Sequence, residues 1–132
     1  MDVVNFVNSQ PANQRFGIEL QEAADGRAVG VLDFDDHWCF SFEDNQYLHG
    51  GVSFGLADTV GAAAVMSYYE TVRPAVTKDL RIDYLRVADG DLRATAEVNR
   101  YGRSNASVDV EVVDHDTGGQ IALVRGIYAT ER

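Results

Sequence analysis

The second half of the chain alternates apolar and polar residues, with a period of two, over four stretches. Glycine-containing turn sequences separate them, at Asp89-Gly90, Gly102-Arg103 and Thr117-Gly118-Gly119. The stretches cover residues 77–87, 91–99, 106–114 and 120–129. This alternation is typical of strands that bury one face, and short turns favour pairing of neighbouring strands. The pattern predicts an antiparallel meander over residues 76–130.

The first part of the chain shows a different pattern, a short helical stretch followed by a hairpin. Apolar residues recur at near-helical spacing before Pro11, which predicts an N-terminal helix over residues 1–10. Residues 16–21 and 27–34 flank the turn sequence Ala24-Asp25-Gly26. We therefore expect two paired strands on either side of that turn.

A long apolar segment rich in glycine and alanine, residues 49–69, lies between these two parts. It predicts a buried helix, preceded by a polar connector at residues 43–48. Residues 38–42 extend the second strand or form a loop. One long helix and about five to six antiparallel strands predict an α+β fold in which the sheet curls around the helix. The chain has the length of a single domain, which we expect to span residues 1–132.

Asp58 is the single charged residue of the predicted central helix. A carboxylate among apolar residues must be compensated, which marks Asp58 as a candidate for chemistry. Gly50, in the first turn, offers a backbone N–H where a carbonyl oxygen could gain negative charge. The two groups lie about 12 Å apart along a helix, too far to act on one carbonyl. If the protein is an enzyme, we predict a symmetric dimer whose antiparallel helices bring Gly50 of one chain to Asp58 of the other.

Composition and charge limit the classes of molecule that the chain is expected to bind. The net charge of −10 argues against nucleic acid, because binding phosphates requires a basic surface. No secretory signal is expected, because the first ten residues carry an acid instead of a basic region and have no long apolar core. No membrane span is expected either, because the one long apolar segment contains Asp58. The single cysteine, Cys39, suits a reducing compartment, so we expect a soluble, cytoplasmic protein. Lysine and arginine are absent between Ala28 and Val72 and frequent afterwards, so an anionic ligand should contact the later half.

Two other kinds of chemistry have less support in the sequence. Residues 51–55 satisfy the G-x-S-x-G pattern of serine hydrolases, with Ser53 as the nucleophile and His115 later in the chain. That motif needs an apolar strand before it, whereas polar residues precede it here, and the chain is too short for the sheet of that fold. The histidines and the cysteine lack the paired spacing of metal ligands, so we expect no metal site.

Several motifs together resemble the PaaI-like hotdog-fold acyl-CoA thioesterases. They are His49-Gly50-Gly51, Leu56-Ala57-Asp58-Thr59, the strand at residues 79–86 and the Gly102-Arg103 turn. The resemblance implies a hotdog fold and a thioester hydrolase that converts acyl-CoA, including aryl-acyl-CoA, to the free acid and CoA. It also implies a homo-oligomer, a dimer or a dimer of dimers. No cofactor is implied, since CoA is part of the substrate.

The resemblance also assigns roles to individual residues. Asp58 corresponds to the nucleophile or general base, and the Gly50 amide to the group that polarises the thioester carbonyl. Thr77 falls where the family often has a serine or threonine that positions water or the carboxylate. The residues assigned to substrate or CoA binding are His49, Gly51, Arg81, Gly102, Arg103 and Ser104. Arginine suits the phosphates of CoA, which it can bind bidentately.

One position departs from the family pattern. An asparagine that holds water or substrate commonly lies six residues before the histidine of the H-G-G motif, and this chain has Glu43 there, with Asn45 two residues later. Either Asn45 takes the role after a shift of the connector, or Glu43 supplies a second carboxylate that forms an acid/base pair with Asp58. A solvated loop acid is the third interpretation. The departure motivates an alternative function, a non-catalytic acyl-CoA or aryl-CoA binding module on the same fold.

Overall fold

The computed structural model describes residues 2–131, in which two short helices and four strands precede one long helix and four further strands. The helices are α1 (Val3–Asn8), α2 (Pro11–Phe16) and α3 (Gly50–Met66), with a short 3-10 turn at Asp36–Trp38. The strands are β1 (Ile18–Ala24), β2 (Arg27–Leu32), β3 (Cys39–Phe42), β4 (Asn45–Leu48), β5 (Val76–Tyr84), β6 (Leu92–Tyr101), β7 (Asn105–Asp114) and β8 (Gln120–Ala129). Met1, the start of the predicted N-terminal helix, and Arg132, the end of the predicted domain, lie outside the described residues.

Six of these strands form one antiparallel sheet in the order β1-β2-β6-β7-β8-β5, and β3 pairs with β4 in a separate hairpin. α3 packs mainly against the central strands β6, β2 and β7. Its inward residues and those of the strands form one core. One long helix on a six-stranded antiparallel sheet confirms the predicted α+β layout.

The structure differs from the predicted meander over residues 76–130 in the partner of its first strand. β6, β7 and β8 follow one another as a meander, but β5 pairs with β8 at the edge of the sheet. The connection from β5 to β6 crosses the end of the sheet, where the Leu85 and Arg86 amides donate to the Ile121 carbonyl at 2.8 and 3.3 Å. Alternation shows that a strand buries one face, but it does not identify the neighbouring strand.

The N-terminal segment forms two short helices in place of the single helix predicted there. Asp2 caps α1, because its side chain accepts a hydrogen bond from the Asn5 amide at 2.8 Å. Pro11 starts α2, since proline suits the first helical position, and Gly17 ends it with a φ of 78°. The first strand therefore begins at Ile18, later than the pattern predicted.

Residues 38–48 contain the hairpin β3–β4, which leads into the start of α3. Its two-residue turn is Glu43-Asp44, and Glu43 adopts a left-handed φ of 56°. The His49 amide, just after the hairpin, donates to the Trp38 carbonyl at 2.9 Å. The predicted polar connector is thus an ordered strand. Its sequence looks polar because a two-stranded sheet outside the main sheet leaves most of its side chains exposed.

α3 lies close to the sheet because small residues meet across the interface. The helix ends at Met66, before the predicted end at residue 69. A Cβ on Gly30 in β2 would lie 2.7 Å from a methyl carbon of Val60, so this crossing requires glycine. Within residues 2–131, no helix is long and apolar enough to cross a membrane.

Candidate active site

Asp58 lies in the middle of α3, on the side of the helix that the sheet leaves partly exposed. Its Oδ1 atom accepts a hydrogen bond from the Thr77 hydroxyl at 2.7 Å and another from the Tyr128 hydroxyl at 3.1 Å. Within residues 2–131, no hydrogen bond goes to the other carboxylate oxygen, Oδ2. Oδ2 therefore keeps its lone pairs for a reacting group.

A β-bulge in β5 turns Thr77 towards the helix. Thr77 pairs with Tyr128 of β8, and the next paired residue of β5 is Asp79, so Lys78 is an extra residue without its own partner. In a regular strand Thr77 would share the face of Asp79, which lies on the outer side of the sheet, and the extra residue reverses this. The two hydroxyls that reach the carboxylate are therefore cross-strand neighbours.

Tyr128 is a residue of this site that the sequence analysis missed. Its side chain is fully buried, and burial, followed by the negative charge of Asp58, raises the pKa of its hydroxyl. The phenol therefore stays protonated and acts as a hydrogen-bond donor. Space for it comes from two glycines, since a Cβ on Gly61 or Gly126 would lie within 3.0 Å of a Tyr128 atom. These glycines, inside a helix and a strand, are the one sequence signal of a close contact.

The start of α3 presents an unpaired backbone donor. His49 caps the helix, because its Nδ1 atom accepts a hydrogen bond from the Gly51 amide at 2.9 Å. The Gly50 amide has no acceptor within the described residues. The Tyr84 hydroxyl donates to the Gly50 carbonyl at 2.6 Å and joins the first turn to β5. The N–H of Gly50 is thus free for a carbonyl oxygen at the positive end of the helix.

Two cavities open beside this donor. One, of about 410 Å³, has Gly50, Tyr84 and Phe40 among its lining residues. The other, of about 420 Å³, has Phe16, Trp38 and His49 among its lining residues. Both volumes and the mainly apolar lining of the first suit small-molecule sites.

Asp58 and Gly50 are well separated within one protomer. β5 runs beside α3 and contacts the two residues at its opposite ends, Thr77 reaching Asp58 and Tyr84 reaching Gly50. The structure therefore brings Thr77 and Asp58 together but keeps Gly50 apart from them. This separation agrees with the distance expected from the helix geometry.

Glu43 and Asn45, the two candidates for the role of the family asparagine, lie on the hairpin β3–β4. Both are exposed. Neither forms a hydrogen bond or an ion pair with Asp58 of the same chain in the described part of the structure. The hairpin leads directly into Gly50, so these two residues belong to the Gly50 end of α3.

The turn between β6 and β7 is tied to the residue that follows β8. The buried Thr130 hydroxyl lies 2.8 Å from the Gly102 carbonyl and 2.9 Å from the Arg103 carbonyl, and its amide donates to the Ser104 carbonyl at 2.9 Å. Lys78 reaches the same turn, where its Nζ donates to the Asn105 side chain at 3.0 Å. The exposed side chains of Arg103 and Lys78 therefore lie at the same turn.

Arg81, assigned to substrate binding by the resemblance, lies on the outer face of the sheet. Its side chain is 79% exposed and lies 3.8 Å from its ion-pair partner Asp83. It shares a shallow surface with Asp109 and Arg125. The bulge lies between Arg81 and Thr77, so these two residues of one strand point to opposite faces and the structure does not bring Arg81 to Asp58.

The G-x-S-x-G motif does not form a nucleophile elbow. That elbow exposes its serine at a turn between a strand and a helix. Here Ser53 lies inside α3 and is 2% exposed. The serine-hydrolase interpretation is therefore excluded. No group of three or more potential metal ligands occurs in residues 2–131.

Comparison with known proteins identifies this architecture. The family model of the thioesterase superfamily matches residues 45–120. A candidate esterase of Halobacterium salinarum is 29% identical over 98% of this chain and 91% of its own length. The PaaI protein from the phenylacetic acid degradation operon of E. coli has a TM-score of 0.82 and 28% identity, over 95% of this chain and 87% of its own. Zebra fish thioesterase superfamily member 2 has a TM-score of 0.78 and 27% identity, over 96% and 92%.

The fold and the family match identify the chain as a hotdog-fold thioester hydrolase. The chain belongs to the thioesterase superfamily, which it matches over more than half of its length. The resemblance to PaaI-like proteins, the hotdog fold and the prediction of a thioester hydrolase are thereby confirmed.

Proposed function

We propose that this protein hydrolyses acyl-CoA thioesters, aryl-acyl groups among them, at sites shared between the two chains of a homodimer. The observation that carries the proposal is the position of Asp58. Two hydroxyls hold it on the open side of α3, about 12 Å along the helix from the free Gly50 amide. Asp58 can activate water or attack the thioester, and the Gly50 amide can stabilise the oxyanion that forms. In each site one chain would supply Asp58 and the partner chain would supply the Gly50 amide.

The open side of α3 has the character of a helix–helix interface. The partly or fully exposed residues of the helix recur at helical spacing and are Gly50, Gly51, Phe54, Gly55, Asp58, Thr59 and Ala62. Pairing Gly50 with Asp58 of an antiparallel partner sets the two-fold axis midway between them, at Phe54. Beside that axis, a Cβ on Gly55 would meet no atom within 4 Å, which leaves room for a second helix. The edge strand β5 lies along the same side and keeps a row of backbone groups free for pairing.

The reaction has two possible forms that use the same residues. In the general-base form, Asp58 Oδ2 takes a proton from a water molecule whose oxygen attacks the thioester carbonyl carbon. The Gly50 amide of the other chain donates to the resulting oxyanion. The C–S bond then breaks, and the sulfur leaves as a thiolate that takes up the proton, giving the free acid and CoA. In the nucleophilic form, Asp58 attacks the carbonyl carbon, the C–S bond breaks and CoA leaves as a thiolate that takes up a proton. Water then hydrolyses the mixed anhydride to the free acid and the Asp58 carboxylate. Neither form needs a cofactor.

The distribution of charge and cavities supports CoA as the thiol part of the substrate. Arg103 in the β6–β7 turn, with Lys78 nearby, offers cations for phosphate groups. The cavity beside Gly50, lined by Tyr84 and Phe40, suits an acyl or aryl group. The E. coli relative comes from the phenylacetic acid degradation operon, which is a further reason to include aryl groups.

A thiol-release assay with short-chain, medium-chain and aryl acyl-CoAs tests the activity. We expect wild type to release CoA and Asp58→Ala to lose about 100- to 10,000-fold in kcat. Tight binding of acyl-CoA without release by either protein would overturn the proposal in favour of the non-catalytic binding module. Mass spectrometry of the protein during turnover separates the two forms of the reaction, because only the nucleophilic form acylates Asp58.

The contribution of the Gly50 amide can be isolated with one matched pair of variants. Gly50→Pro removes the N–H at the first helical position, where proline is tolerated. His49, at φ −58° and ψ 132°, already has a conformation compatible with a following proline. Gly50→Ala keeps the N–H and controls for added atoms near Tyr84. We expect the proline variant to lose about 100- to 1,000-fold in kcat and the alanine variant far less.

Mixing two inactive variants tests whether the site is shared between chains. In a heterodimer of Asp58→Ala and Gly50→Pro chains, one site contains both defects and the other contains neither. Random mixing should therefore restore about a quarter of wild-type activity. No recovery in heterodimers that are shown to form would refute the shared site.

Turnover by Glu43→Gln and Asn45→Ala resolves the departure from the family pattern. In the proposed dimer, the hairpin that precedes Gly50 accompanies it to the partner's Asp58. A large loss in Asn45→Ala alone assigns the asparagine role to Asn45. A large loss in Glu43→Gln alone indicates a second carboxylate, and no loss in either indicates a solvated loop.

A further inference from the structure

We infer that Tyr128 is a positioning residue that, together with Thr77, fixes the Asp58 carboxylate so that Oδ2 faces the reacting group. The inference rests on the proposed function, in which Asp58 acts on water or on the thioester. It adds to the site a residue from the C-terminal strand, seventy positions away from Asp58 in the chain.

The single hydroxyl proton of Tyr128 has two acceptors within reach on Asp58, one in the carboxylate and one in the backbone. The hydroxyl lies 3.1 Å from Asp58 Oδ1 and 3.2 Å from the Asp58 carbonyl oxygen. That carbonyl lies inside α3, where the backbone amide one turn later also donates to it. A hydrogen bond to an ionised oxygen is about twice as strong as one between neutral groups. The carboxylate is therefore the preferred acceptor, and Tyr128 joins the side chain of Asp58 to its own backbone.

Two donors restrict a carboxylate more than one does. With Thr77 alone at 2.7 Å, the carboxylate of Asp58 could still rotate about that hydrogen bond. The Tyr128 hydroxyl reaches the same oxygen from a neighbouring strand, which removes this freedom. The orientation matters because a displacement of about 1 Å of a reacting group can cost about 100-fold in rate.

Tyr128 is itself held rigidly. Its side chain is fully buried in the core between α3 and the sheet. On the helix side, a Cβ on Gly61 would collide with its hydroxyl, and on the strand side a Cβ on Gly126 would lie 2.8 Å from its Cε1. Close packing on both sides fixes the hydroxyl relative to Asp58, one turn before Gly61.

The test replaces single hydroxyl groups. Tyr128→Phe should lower kcat by about 10- to 100-fold, the effect of losing one hydrogen bond to a charged group. Its KM for acyl-CoA should stay within about twofold of wild type, because Tyr128 does not touch the substrate. The matched control is Tyr69→Phe, which removes a partly buried hydroxyl that donates to the Ala129 carbonyl at 3.2 Å, next to Tyr128 in β8. The control should keep wild-type kcat.

A combined variant tests whether the two hydroxyls act together. Since Thr77 and Tyr128 fix the same oxygen, Thr77→Val combined with Tyr128→Phe should lose less than the product of the two single losses. Losses that multiply would show independent action and contradict the joint role. Equal kcat in Tyr128→Phe and Tyr69→Phe would overturn the inference.

A structural measurement keeps the inference separate from the proposed function. If wild type releases CoA from no thioester, the proposed function fails, and crystal structures of wild type and Tyr128→Phe decide the positioning role. Several orientations of the Asp58 carboxylate in the variant, against one in wild type, would support it. One unchanged orientation in both would overturn it.

Discussion

Replacing Gly61 by alanine should have opposite effects on stability depending on whether the Tyr128 hydroxyl is present. Gly61 lies inside α3, where alanine is favoured over glycine by about 1 kcal/mol. An added Cβ would, however, come closer to the Tyr128 hydroxyl than the 3.0 Å that real Cβ atoms keep. Both residues are buried, so one of them must move.

The magnitudes follow from the contacts. Overpacking a core typically costs about 1 to 3 kcal/mol, so Gly61→Ala should destabilise the protein by a net amount of about 1 kcal/mol. Once Tyr128→Phe has removed the hydroxyl, the nearest ring atoms would lie 3.2 and 3.4 Å from the new Cβ, a tight but tolerable distance. The helix propensity then dominates, and Gly61→Ala should stabilise by about 1 kcal/mol. The coupling free energy between the two sites is therefore about 2 kcal/mol.

Thermal or urea unfolding of wild type, the two single variants and the double variant measures this coupling. All four proteins must be compared at one concentration, because the stability of an oligomer depends on it. A change of 1 kcal/mol corresponds to a shift in Tm of about 3 °C for a chain of this size. Equal stabilisation by Gly61→Ala in both backgrounds would refute the contact between Gly61 and the Tyr128 hydroxyl.

Three further predictions concern the interface, the CoA contact and pH. Gly55→Leu should convert the proposed dimer to monomers in light scattering, and an unchanged mass would contradict the helix–helix interface. Arg103→Ala and Lys78→Ala should raise KM for acyl-CoA and weaken its salt dependence, without changing KM for a thioester that lacks the nucleotide. Hydrogen bonding to Arg125 lowers the pKa of Asp109, so this pair contributes stability above the usual carboxyl range, and that contribution is lost as the pH falls. Wild type should therefore have a higher Tm than Asp109→Asn at about pH 7, with a small difference because the pair is exposed. The two Tm values should converge as the pH falls through the lowered pKa of Asp109.

The layout of the fold could be predicted from local patterns, but the pairing of one strand could not. Alternation identified the strands of the second half, and the glycine-rich apolar segment identified α3. The pairing of β5 with β8 depends on contacts across the end of the sheet, which leave no periodic signal. The bulge at Lys78 could not be predicted from the sequence either. A single extra residue changes the face on which Thr77 lies without changing the composition of the strand.

The candidate site was predictable where it follows from one segment and not where it depends on distant contacts. Asp58 stands out as the single charge in an apolar helix, and Gly50 as the residue of its first turn. Tyr128 is seventy residues from Asp58, and an aromatic residue in a strand is ordinarily part of the core. Arg81 was assigned by resemblance alone, and its location on the outer face follows from the strand register that the bulge sets.

The extra residue of β5 has a consequence for how the enzyme would respond to the far end of a substrate. Thr77, which contacts the acid, and Lys78, which contacts the β6–β7 turn, are joined by one peptide bond. Phosphates captured at that turn would restrain the same short segment of backbone that aligns the carboxylate. A substrate shortened to its pantetheine arm should therefore have a lower kcat. It lacks the phosphate contacts whose binding energy would otherwise help to order the residues at the scissile bond.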